Sequence, residues 1–259
     1  MNAMLHKLAS AMIPRAYKPF TMFPYPFRGE PLKVEVGIGG SGFPFAEHEG
    51  MRVYFPKDYS LELVEWEFRV YLEDEGLTGK GRRTRSPHCY VTNGHRPEAG
   101  DVILDVGCSE GFFSRAFAAQ AKRIYLFESD NKWSASLAET FGDCWDKVTY
   151  TPKAVGRQVT DTETRLEDVV GGSAEEVFFL KMDIEGGERA VIESSAAFLT
   201  SHKVKMSCCA YHRQDDGKVL SAMLRKLGFK TRYSEGFMLP YGSRTFPFLR
   251  RGMIYARNY

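Results

Sequence analysis

The sequence predicts an α/β protein in which helices cover both faces of a mostly parallel β-sheet. From Asp101 onward, short apolar runs alternate with segments that have the periodicity of helices. Alternation at this spacing produces right-handed βαβ units, whose parallel strands are buried on both faces. The composition agrees, because 43% hydrophobic and 26% charged residues over 259 positions are typical of a globular chain.

Seven apolar runs after residue 100 are predicted to form the strands of this sheet. They cover 102–106, 123–128, 147–152, 177–183, 203–211, 229–233 and 253–257. The segments between them are predicted to be helical, at 112–121, 132–141, a short turn at 166–169, 188–199 and 218–227. In such a sheet, ligands bind beyond the carboxyl ends of the strands, where the strand order reverses.

The first hundred residues show no comparable pattern, and turn-forming prolines and glycines are frequent there. Residues 61–72 fit both helical spacing and strand-like alternation, and their length favours a helix. Residues 8–14 are a short apolar patch, for which we expect an amphipathic helix lying on the protein body. We therefore expect an N-terminal extension over 1–98 and the α/β unit over 99–259.

Charge, hydropathy and cysteine content argue against several classes of protein. Thirty-five Lys and Arg against 33 Asp and Glu leave a net charge of +2, which does not indicate binding to nucleic acid or a membrane surface. No run approaches the roughly 20 apolar residues that a membrane-spanning helix needs, so we expect no integral membrane association. The five cysteines include no CxxC pair and no zinc-ligand spacing, which favours a reducing cytoplasm and no metal centre.

The strongest local signal is a glycine loop at residues 105–111 (DVGCSEG), between the first predicted strand and its helix. Glycine lets the backbone approach a ligand closely, and a helix N-terminus supplies free N–H groups. A dinucleotide-binding loop has the pattern G-x-G-x-x-G. This loop has G-x-x-x-G and lacks the glycine that admits a pyrophosphate.

An acidic residue, Glu128, ends the next predicted strand, 23 residues after Asp105. A carboxylate at that position accepts hydrogen bonds from both hydroxyls of a ribose. A loop and an acid without a pyrophosphate cradle indicate a nucleoside ligand, and S-adenosylmethionine fits this description. The alternative is an ordinary α/β turn followed by a surface glutamate.

A second glycine-rich segment, residues 37–42 (GIGGSG), matches G-x-G-x-x-G in full. Pro44 follows at once and forces Phe43 away from helical angles, so no helix begins at this loop. We predict a turn there and no nucleotide site.

Five segments together resemble the FkbM-type S-adenosylmethionine-dependent methyltransferases: DVGCSEGFFS (105–114), LFESD (126–130), TRLEDVV (164–170), FLKMDIEGGERAVI (179–192) and CCAYHRQDD (208–216). They follow the family's order across residues 85–235, and KMDIEGGE is the most specific of them. The resemblance implies the class I methyltransferase fold, a Rossmann-like, mostly parallel sheet of seven strands with a reversed final hairpin. It also implies O-methylation of a hydroxyl on a sugar, a glycan precursor or another small metabolite.

The resemblance also assigns cofactor-binding positions. Asp105, Gly107 and Gly111 would line the methionine end of S-adenosylmethionine, and Glu128 would hold its ribose. The turn after the third strand would meet the adenine. The complete predicted set is Asp105, Gly107, Cys108, Ser109, Gly111, Glu128, Ser129, Lys153, Ala154, Val155 and Asp183. Cys108 replaces the small residue common in the family, which makes it an oxidation-sensitive neighbour of the cofactor.

Candidate catalytic residues follow the fourth and fifth strands. Methyl transfer is an in-line displacement, and an alcohol is a poor nucleophile that a nearby base assists. Asp183 and Glu185 would position the hydroxyl, hold the cofactor's ammonium group or bind Mg²⁺, whereas Glu188 fits an acid that stabilises a helix N-terminus. His212 is predicted to be the general base.

Two basic clusters leave the acceptor class open. Lys80, Arg82, Arg83 and Arg85 form one cluster, and Arg244, Arg250 and Arg251 form another beside Tyr241, Phe246 and Phe248. They would bind an anionic acceptor or form solvated surface, and solvated surface is commoner.

Two other functions stay open besides methylation of a small acceptor. One is an RNA methyltransferase, disfavoured by the +2 charge, and the other is a cofactor-binding scaffold without catalysis. The N-terminal extension is predicted to shape the acceptor side.

Overall fold

The computed structural model describes residues 20–23, 33–75, 86–240 and 249–259. The predicted helix at 8–14, the cluster Lys80 to Arg85, and Arg244 with its neighbouring aromatic residues lie outside the described residues.

The described chain forms strands and short helices in alternation. The strands are β1 (Phe20–Phe23), β2 (Glu35–Ile38), β3 (Pro44–His48), β4 (Met51–Tyr54), β5 (Val102–Val106), β6 (Arg123–Phe127), β7 (Val148–Thr151), β8 (Ala154–Val155), β9 (Glu163–Thr164), β10 (Val177–Met182), β11 (Lys203–Cys209), β12 (Lys230–Tyr233), β13 (Phe237–Pro240) and β14 (Met253–Arg257). The helices are α1 (Leu61–Asp74), α2 (Phe112–Phe117), α3 (Ser134–Thr140), α4 (Leu166–Val169), α5 (Glu188–Ser194), α6 (Ala196–Ser201) and α7 (Asp216–Lys226). Asn131–Trp133 and Gly142–Lys147 are 3₁₀ turns.

Seven strands form the main sheet, in the order β12-β14-β11-β10-β5-β6-β7. β7, β6, β5, β10 and β11 pair in parallel, and β14 pairs antiparallel with both β11 and β12. The strand order reverses between β5 and β10, which places a ligand crevice at their carboxyl ends. The predicted seven-stranded, mostly parallel sheet with a reversed final hairpin is confirmed.

The central strands are continuous apolar runs because both faces of the sheet are covered. Every residue of β5 is buried, and so is nearly every residue of β10 and β11. Alternate side chains enter two separate cores, so Ile103 and Phe179 lie on one face while Leu104 and Leu180 lie on the other.

Two predicted helices end earlier than their sequence patterns suggest. The helix predicted at 112–121 stops at Phe117, and the Lys147 ammonium donates to the carbonyls of Ala118 and Ala121 beyond that end. The helix predicted at 188–199 divides into α5 and α6 at Ser195, whose ψ of 16° departs from helical values. After the ends of α2 and α6 the chain turns and enters the next strands, β6 and β11.

The N-terminal residues add a three-stranded antiparallel sheet, β2-β3-β4, that sequence reasoning missed. The glycine-rich segment at 37–42 forms the β2–β3 turn, in which the Gly39 N–H donates to the Phe43 carbonyl at 2.8 Å. This agrees with the turn predicted there. The strands are only four or five residues long, so the period-two signal was weak.

Helix α1 confirms the helical interpretation of residues 61–72. Ser60 caps it, accepting from the Leu63 N–H at 3.2 Å, and Val64, Phe68 and Leu72 form its buried face. The Phe68 ring meets the Phe112 ring edge to face, with centroids 5.1 Å apart. The described part of the N-terminal segment therefore shares a core with the main sheet, and the boundary predicted between 98 and 99 stays a prediction. No helix in the described ranges is both long and apolar enough to cross a bilayer.

Candidate active site

The carboxyl ends of the parallel strands meet at one cavity of about 660 Å³. Helix α1 contributes part of its wall through Trp66, Val70 and Tyr71. The predicted site residues that line the cavity are Gly107, Cys108, Ser109, Glu128, Ser129, Lys153, Ala154, Val155, Asp183 and Glu185. Asp105, Gly111 and His212 were predicted to meet a ligand but do not line it.

The glycine loop lies directly against the turn that follows β10. Gly107 has a φ of 77°, and a Cβ atom there would come within 1.9 Å of the Asp183 carbonyl oxygen. A side chain at this position would push the two turns apart. The N–H groups of Gly107 and Cys108 both donate to the Phe127 carbonyl, at 2.9 and 3.1 Å. The loop is thereby fixed to the ends of β6 and β10.

Gly111 has a packing function. Its φ is 78°, and a Cβ atom there would lie 2.6 Å from the Phe141 ring and 2.8 Å from Leu137. The absence of a side chain lets the start of α2 pack against α3 and the turn after it. Its contact with the cofactor stays a prediction.

Asp105 supports the loop from behind and does not face the cavity, which corrects the prediction. Its side chain is 0% exposed and lies 3.1 Å from the Lys181 ammonium, itself 6% exposed. The Ser114 hydroxyl donates to the other carboxylate oxygen at 2.7 Å, and Lys181 also donates to the Gly107 carbonyl. The buried ion pair therefore joins β5 and β10 to the glycine loop.

Glu128 presents a carboxylate of fixed orientation at the end of β6. One oxygen accepts from the Ser109 N–H at 3.0 Å, and the other accepts from the Asp130 N–H at 2.8 Å. Ser109 has a φ of 46°, which turns its N–H toward this acid. The backbone thus holds both oxygens in place at the edge of the cavity.

The remaining predicted cofactor residues lie around the same edge. Ser129 and Ala154 are exposed, and Lys153 is half-buried, with its ammonium donating to the Thr160 carbonyl at 2.6 Å. Cys108 is buried, and burial raises the pKa of its thiol well above 9. A thiol held in its neutral form reacts slowly with oxidants, so the predicted oxidation sensitivity is not supported.

Asp183 is surrounded by donors at the end of β10. The Tyr90 hydroxyl donates to its Oδ2 at 2.5 Å, and His212 Nε2 lies 3.2 Å from its Oδ1. Burial raises the pKa of this carboxyl, but His212 and His88 outweigh that effect and hold the pKa well below 3.8. Asp183 is therefore ionised at neutral pH and is a weak base.

His212 is a buried cation, which corrects its predicted function as the general base. Its side chain is 3% exposed and lies between Asp183 and Glu188, whose Oε1 is 2.7 Å from Nδ1. Burial lowers the pKa of the imidazole, but the two carboxylates outweigh it and raise the pKa to about 10. At neutral pH both nitrogens carry protons, so His212 has no lone pair to accept another.

The acids of the turn after β10 differ in environment. Glu188 is fully buried and also accepts from the Ile184 N–H at 3.2 Å, so it supports the turn and His212. The Glu185 side chain is 83% exposed at the edge of the cavity, 3.6 Å from His212 Nε2. Its predicted catalytic function stays a prediction.

The Mg²⁺ interpretation of these acids does not fit their arrangement. One oxygen each of Asp183 and Glu188 and one ring nitrogen of His212 lie within 4.8 Å of one another, and the imidazolium contacts both carboxylates, at 3.2 and 2.7 Å. That cation already neutralises both carboxylates and occupies the position between them. Mg²⁺ prefers an octahedral set of oxygen ligands, which this group does not supply.

Sequence reasoning did not single out several residues that line the cavity, among them His88, Tyr90, Glu110 and Tyr211. His88 and Tyr90 contact Asp183, and the Tyr211 hydroxyl lies 3.2 Å from His88 Nε2. Glu110 is 5% exposed, and burial raises the pKa of its carboxyl to about 8. His88 and Tyr90 come shortly before β5, and the residue that both contact, Asp183, is more than ninety residues further along the chain. The sequence around them therefore gave only a weak signal of a functional site.

The described basic residues near the C-terminus have structural partners. The Arg250 guanidinium donates to the carbonyls of Tyr211 and His212 at 2.7 and 2.8 Å, which fixes the turn after β11. Arg251 lies over the Tyr233 and Phe237 rings, 4.9 and 4.8 Å from their centroids. Neither lines the cavity, so a clamp for an anionic acceptor is not supported at these two positions.

Replacing Lys181 tests the ion pair behind the loop. We expect Lys181→Met to lower the free energy of unfolding by about 3–5 kcal/mol, because it leaves Asp105 buried without a counter-ion. Lys203→Met removes an exposed pair with Glu175 and should cost no more than about 1 kcal/mol. Urea denaturation of both variants measures the difference, and equal losses would show that the Lys181 charge is unimportant.

The raised pKa of His212 predicts a pH dependence of stability. The folded-state pKa of about 10 exceeds the ordinary imidazole value of about 6.5. The imidazolium therefore stabilises the folded protein fully below about pH 6.5, and this stabilisation is lost as the pH rises toward 10. The stability difference between wild type and His212→Gln should shrink from pH 7 to 10, by at most about 1.4 kcal/mol per pH unit.

His95→Gln is the control for this series. Burial lowers the pKa of His95 to about 4, so this residue stays neutral over the whole range. Its stability difference from wild type should be constant between pH 7 and 10. Parallel curves for the two variants in denaturant titrations would contradict a cationic His212.

Comparisons with known proteins show a similar fold in solved structures. The structure is similar to a crystal structure of methyltransferase FkbM from Methylobacillus flagellatus, with a TM-score of 0.51 and 18% identity over 78% of this chain. The match covers 56% of that protein, so the present chain spans little more than half of its length. At this identity the similarity concerns the fold alone.

Weaker structural similarities extend to other methyltransferases. An rRNA methylase from Streptococcus thermophilus has a TM-score of 0.39 and 9% identity, covering 62% of this chain and 88% of that one. Precorrin-6y C5,15-methyltransferase from Geobacter metallireducens has a TM-score of 0.41 and 12% identity, covering 67% and 82%. A search of curated proteins found no significant match.

The family assignment rests on the sequence. Residues 94–231, more than half of the chain, match the model of the methyltransferase FkbM domain. This range contains the glycine loop, Glu128 and the KMDIEGGE segment. The resemblance noted from the motifs is confirmed, and the chain belongs to the FkbM methyltransferase family.

Proposed function

We propose that this protein is an S-adenosylmethionine-dependent O-methyltransferase that acts on a hydroxyl of a small acceptor such as a sugar or glycan precursor. One observation carries the proposal. A single cavity has the glycine loop and Glu128 at one side, and Asp183 with two phenols and a histidine at the other. The first group suits a nucleoside cofactor, and the second suits a hydroxyl.

The residues around the glycine loop fit S-adenosylmethionine. Gly107 lets the loop lie directly against the turn after β10, and the fixed Glu128 carboxylate is oriented to accept from two vicinal hydroxyls. Lys153, Ala154 and Val155 at the next strand end would contact the adenine. When bound, S-adenosylmethionine supplies the methyl group on a positively charged sulfur.

The walls near Asp183 favour an uncharged polar acceptor. Trp66 and Tyr71 offer aromatic surfaces on which the apolar face of a sugar ring can pack. The carboxylates of Asp183 and Glu185 would repel a phosphate group placed beside them. Because α1 and the segment with His88 belong to residues 1–98, the N-terminal extension supplies the acceptor side.

The geometry supports catalysis chiefly through positioning. Fixing the acceptor oxygen about 3–3.5 Å from the methyl carbon, in line with the breaking bond, removes much of the barrier. The Tyr90 and Tyr211 hydroxyls can hydrogen-bond the acceptor, and the ionised Asp183 stabilises positive charge that develops next to it.

An acceptor screen tests the proposed function. Purified protein with methyl-labelled S-adenosylmethionine is incubated with free sugars, nucleotide sugars and RNA, with and without Mg²⁺. We expect label transfer to a free sugar, with turnover that does not require the metal. Transfer to RNA alone would favour the alternative of an RNA methyltransferase, and salt titration would then show a steep loss of affinity. No transfer to any class would contradict the proposal.

Replacing Glu128 tests the cofactor side independently of the acceptor. We expect Glu128→Ala to weaken binding of S-adenosylmethionine and S-adenosylhomocysteine alike by about 10-fold to 100-fold, because two ribose hydrogen bonds to a charged acceptor are lost. Glu193→Ala removes an exposed pair with Arg157 and is the matched control. Isothermal titration calorimetry measures both, and unchanged affinity in Glu128→Ala would remove this residue from the site.

A further inference from the structure

His88 lies in the cavity although it precedes the matched family domain at 94–231. Its side chain is 15% exposed, so the ring is largely enclosed yet open to a ligand. The three groups nearest its Nε2 come from three parts of the chain: Tyr90 beside it, Asp183 after β10, and Tyr211 after β11.

The distances fix the imidazole at the acceptor side. Nε2 lies 3.2 Å from the Tyr211 hydroxyl, 3.3 Å from the Tyr90 hydroxyl and 3.4 Å from Asp183 Oδ2. Both phenol rings also pack edge to face on the imidazole, with centroids 5.1 and 5.4 Å away. A ring held this firmly reaches a reacting atom without loss of conformational entropy at the moment of reaction.

The other titratable groups that face His88 are poorly suited to accept a proton near neutral pH. Asp183 is ionised, and its pKa is held well below 3.8, which makes it a weak base. Burial raises the pKa values of Tyr90, Tyr211 and Cys209 well above their ordinary values, so these groups keep their protons. Lys181, 5.3 Å from the centre of the Tyr90 ring, is a cation engaged by Asp105.

We propose that His88 is the catalytic base that takes the proton from the acceptor hydroxyl, and that Asp183 and Tyr211 position it. The inference rests on the proposed function and replaces His212 in the function that the sequence analysis gave it.

The proton and electron balance is complete within the site. As the hydroxyl oxygen bonds to the methyl carbon, the carbon–sulfur bond breaks and its electron pair remains on sulfur. The hydroxyl proton passes to His88 Nε2, and the imidazolium so formed lies 3.4 Å from the Asp183 carboxylate. The proton then leaves to solvent through the exposed edge of the ring, and no other reactant is needed.

The test compares His88→Asn with wild type, using the sugar or nucleotide sugar that gives the highest turnover in the screen. We expect kcat to fall by about 10² to 10⁴-fold, the usual contribution of a general base. The acid limb of the wild-type pH–kcat profile should disappear in the variant. Calorimetric affinity for S-adenosylhomocysteine should change by less than about twofold, because the residue lies at the proposed acceptor side of the cavity.

A second variant distinguishes loss of the base from loss of structure. His88→Gly opens space for free imidazole, which should restore part of the rate in proportion to its concentration. His48→Asn replaces a histidine whose Nδ1 lies 2.8 Å from the Lys33 carbonyl, outside the cavity, and should leave kcat unchanged. Glu110→Gln replaces a carboxyl whose pKa is raised by burial to about 8, and this variant should keep the acid limb.

The outcomes separate the inference from the proposed function. If His88→Asn has the wild-type kcat and keeps the acid limb of the pH–kcat profile, the assignment of His88 as the base is wrong. The methyltransferase proposal would then still stand. A parallel loss of kcat and of S-adenosylhomocysteine affinity, without imidazole rescue, would assign His88 a structural function and also overturn it. No wild-type turnover with any acceptor would remove both.

Discussion

The site depends on neutralising carboxylates that the fold buries at the ends of its parallel strands. Asp105 lies near the end of β5 and Asp183 directly follows β10, where little water reaches them, and each isolated charge would cost several kcal/mol. Lys181 balances the first and the His212 imidazolium balances the second. Lys181 also donates to the Gly107 carbonyl, so the same cation that neutralises Asp105 fixes the loop at the cofactor side. Neutralising Asp105 and fixing the glycine loop therefore depend on the same residue, Lys181.

This constraint determines which residues are available for chemistry. Once His212 is held between Asp183 and Glu188 it is a fixed cation, and Asp183 stays ionised beside it. Charges fixed before a substrate arrives need no reorganisation during the reaction, which is the main source of electrostatic catalysis. The same arrangement makes both groups poor proton acceptors. His88 also contacts Asp183, with Nε2 3.4 Å from Oδ2, and it is the group that we propose to accept the proton.

The sequence predicted the sheet well because each main strand is a continuous apolar run between turn signals. It predicted less of the N-terminal half, since β2, β3 and β4 are four or five residues long and helical and strand periodicities overlap in α1. Motif reasoning also located Glu128 and Asp183 at the cavity, because both follow strand ends. It misjudged Asp105 and His212, because a motif gives position along the chain but not the partner across the sheet. Lys181 and Glu188 decide the functions of those two residues, and only the folded structure shows these pairs.

The family domain and the segment before it supply different parts of the cavity. Residues within 94–231 form the glycine loop and hold Glu128 and Asp183, whereas Trp66, Tyr71 and His88 come from the N-terminal side. On the function that we propose, the acceptor side takes residues from both parts of the chain, because Asp183 and Tyr211 lie within 94–231 and His88 precedes it. The shared core between α1 and α2 makes this arrangement possible, because it fixes the acceptor wall rigidly to the cofactor domain. Changes on the cavity side of α1 would alter the acceptor without disturbing the loop, whereas changes at Phe68 would disturb both.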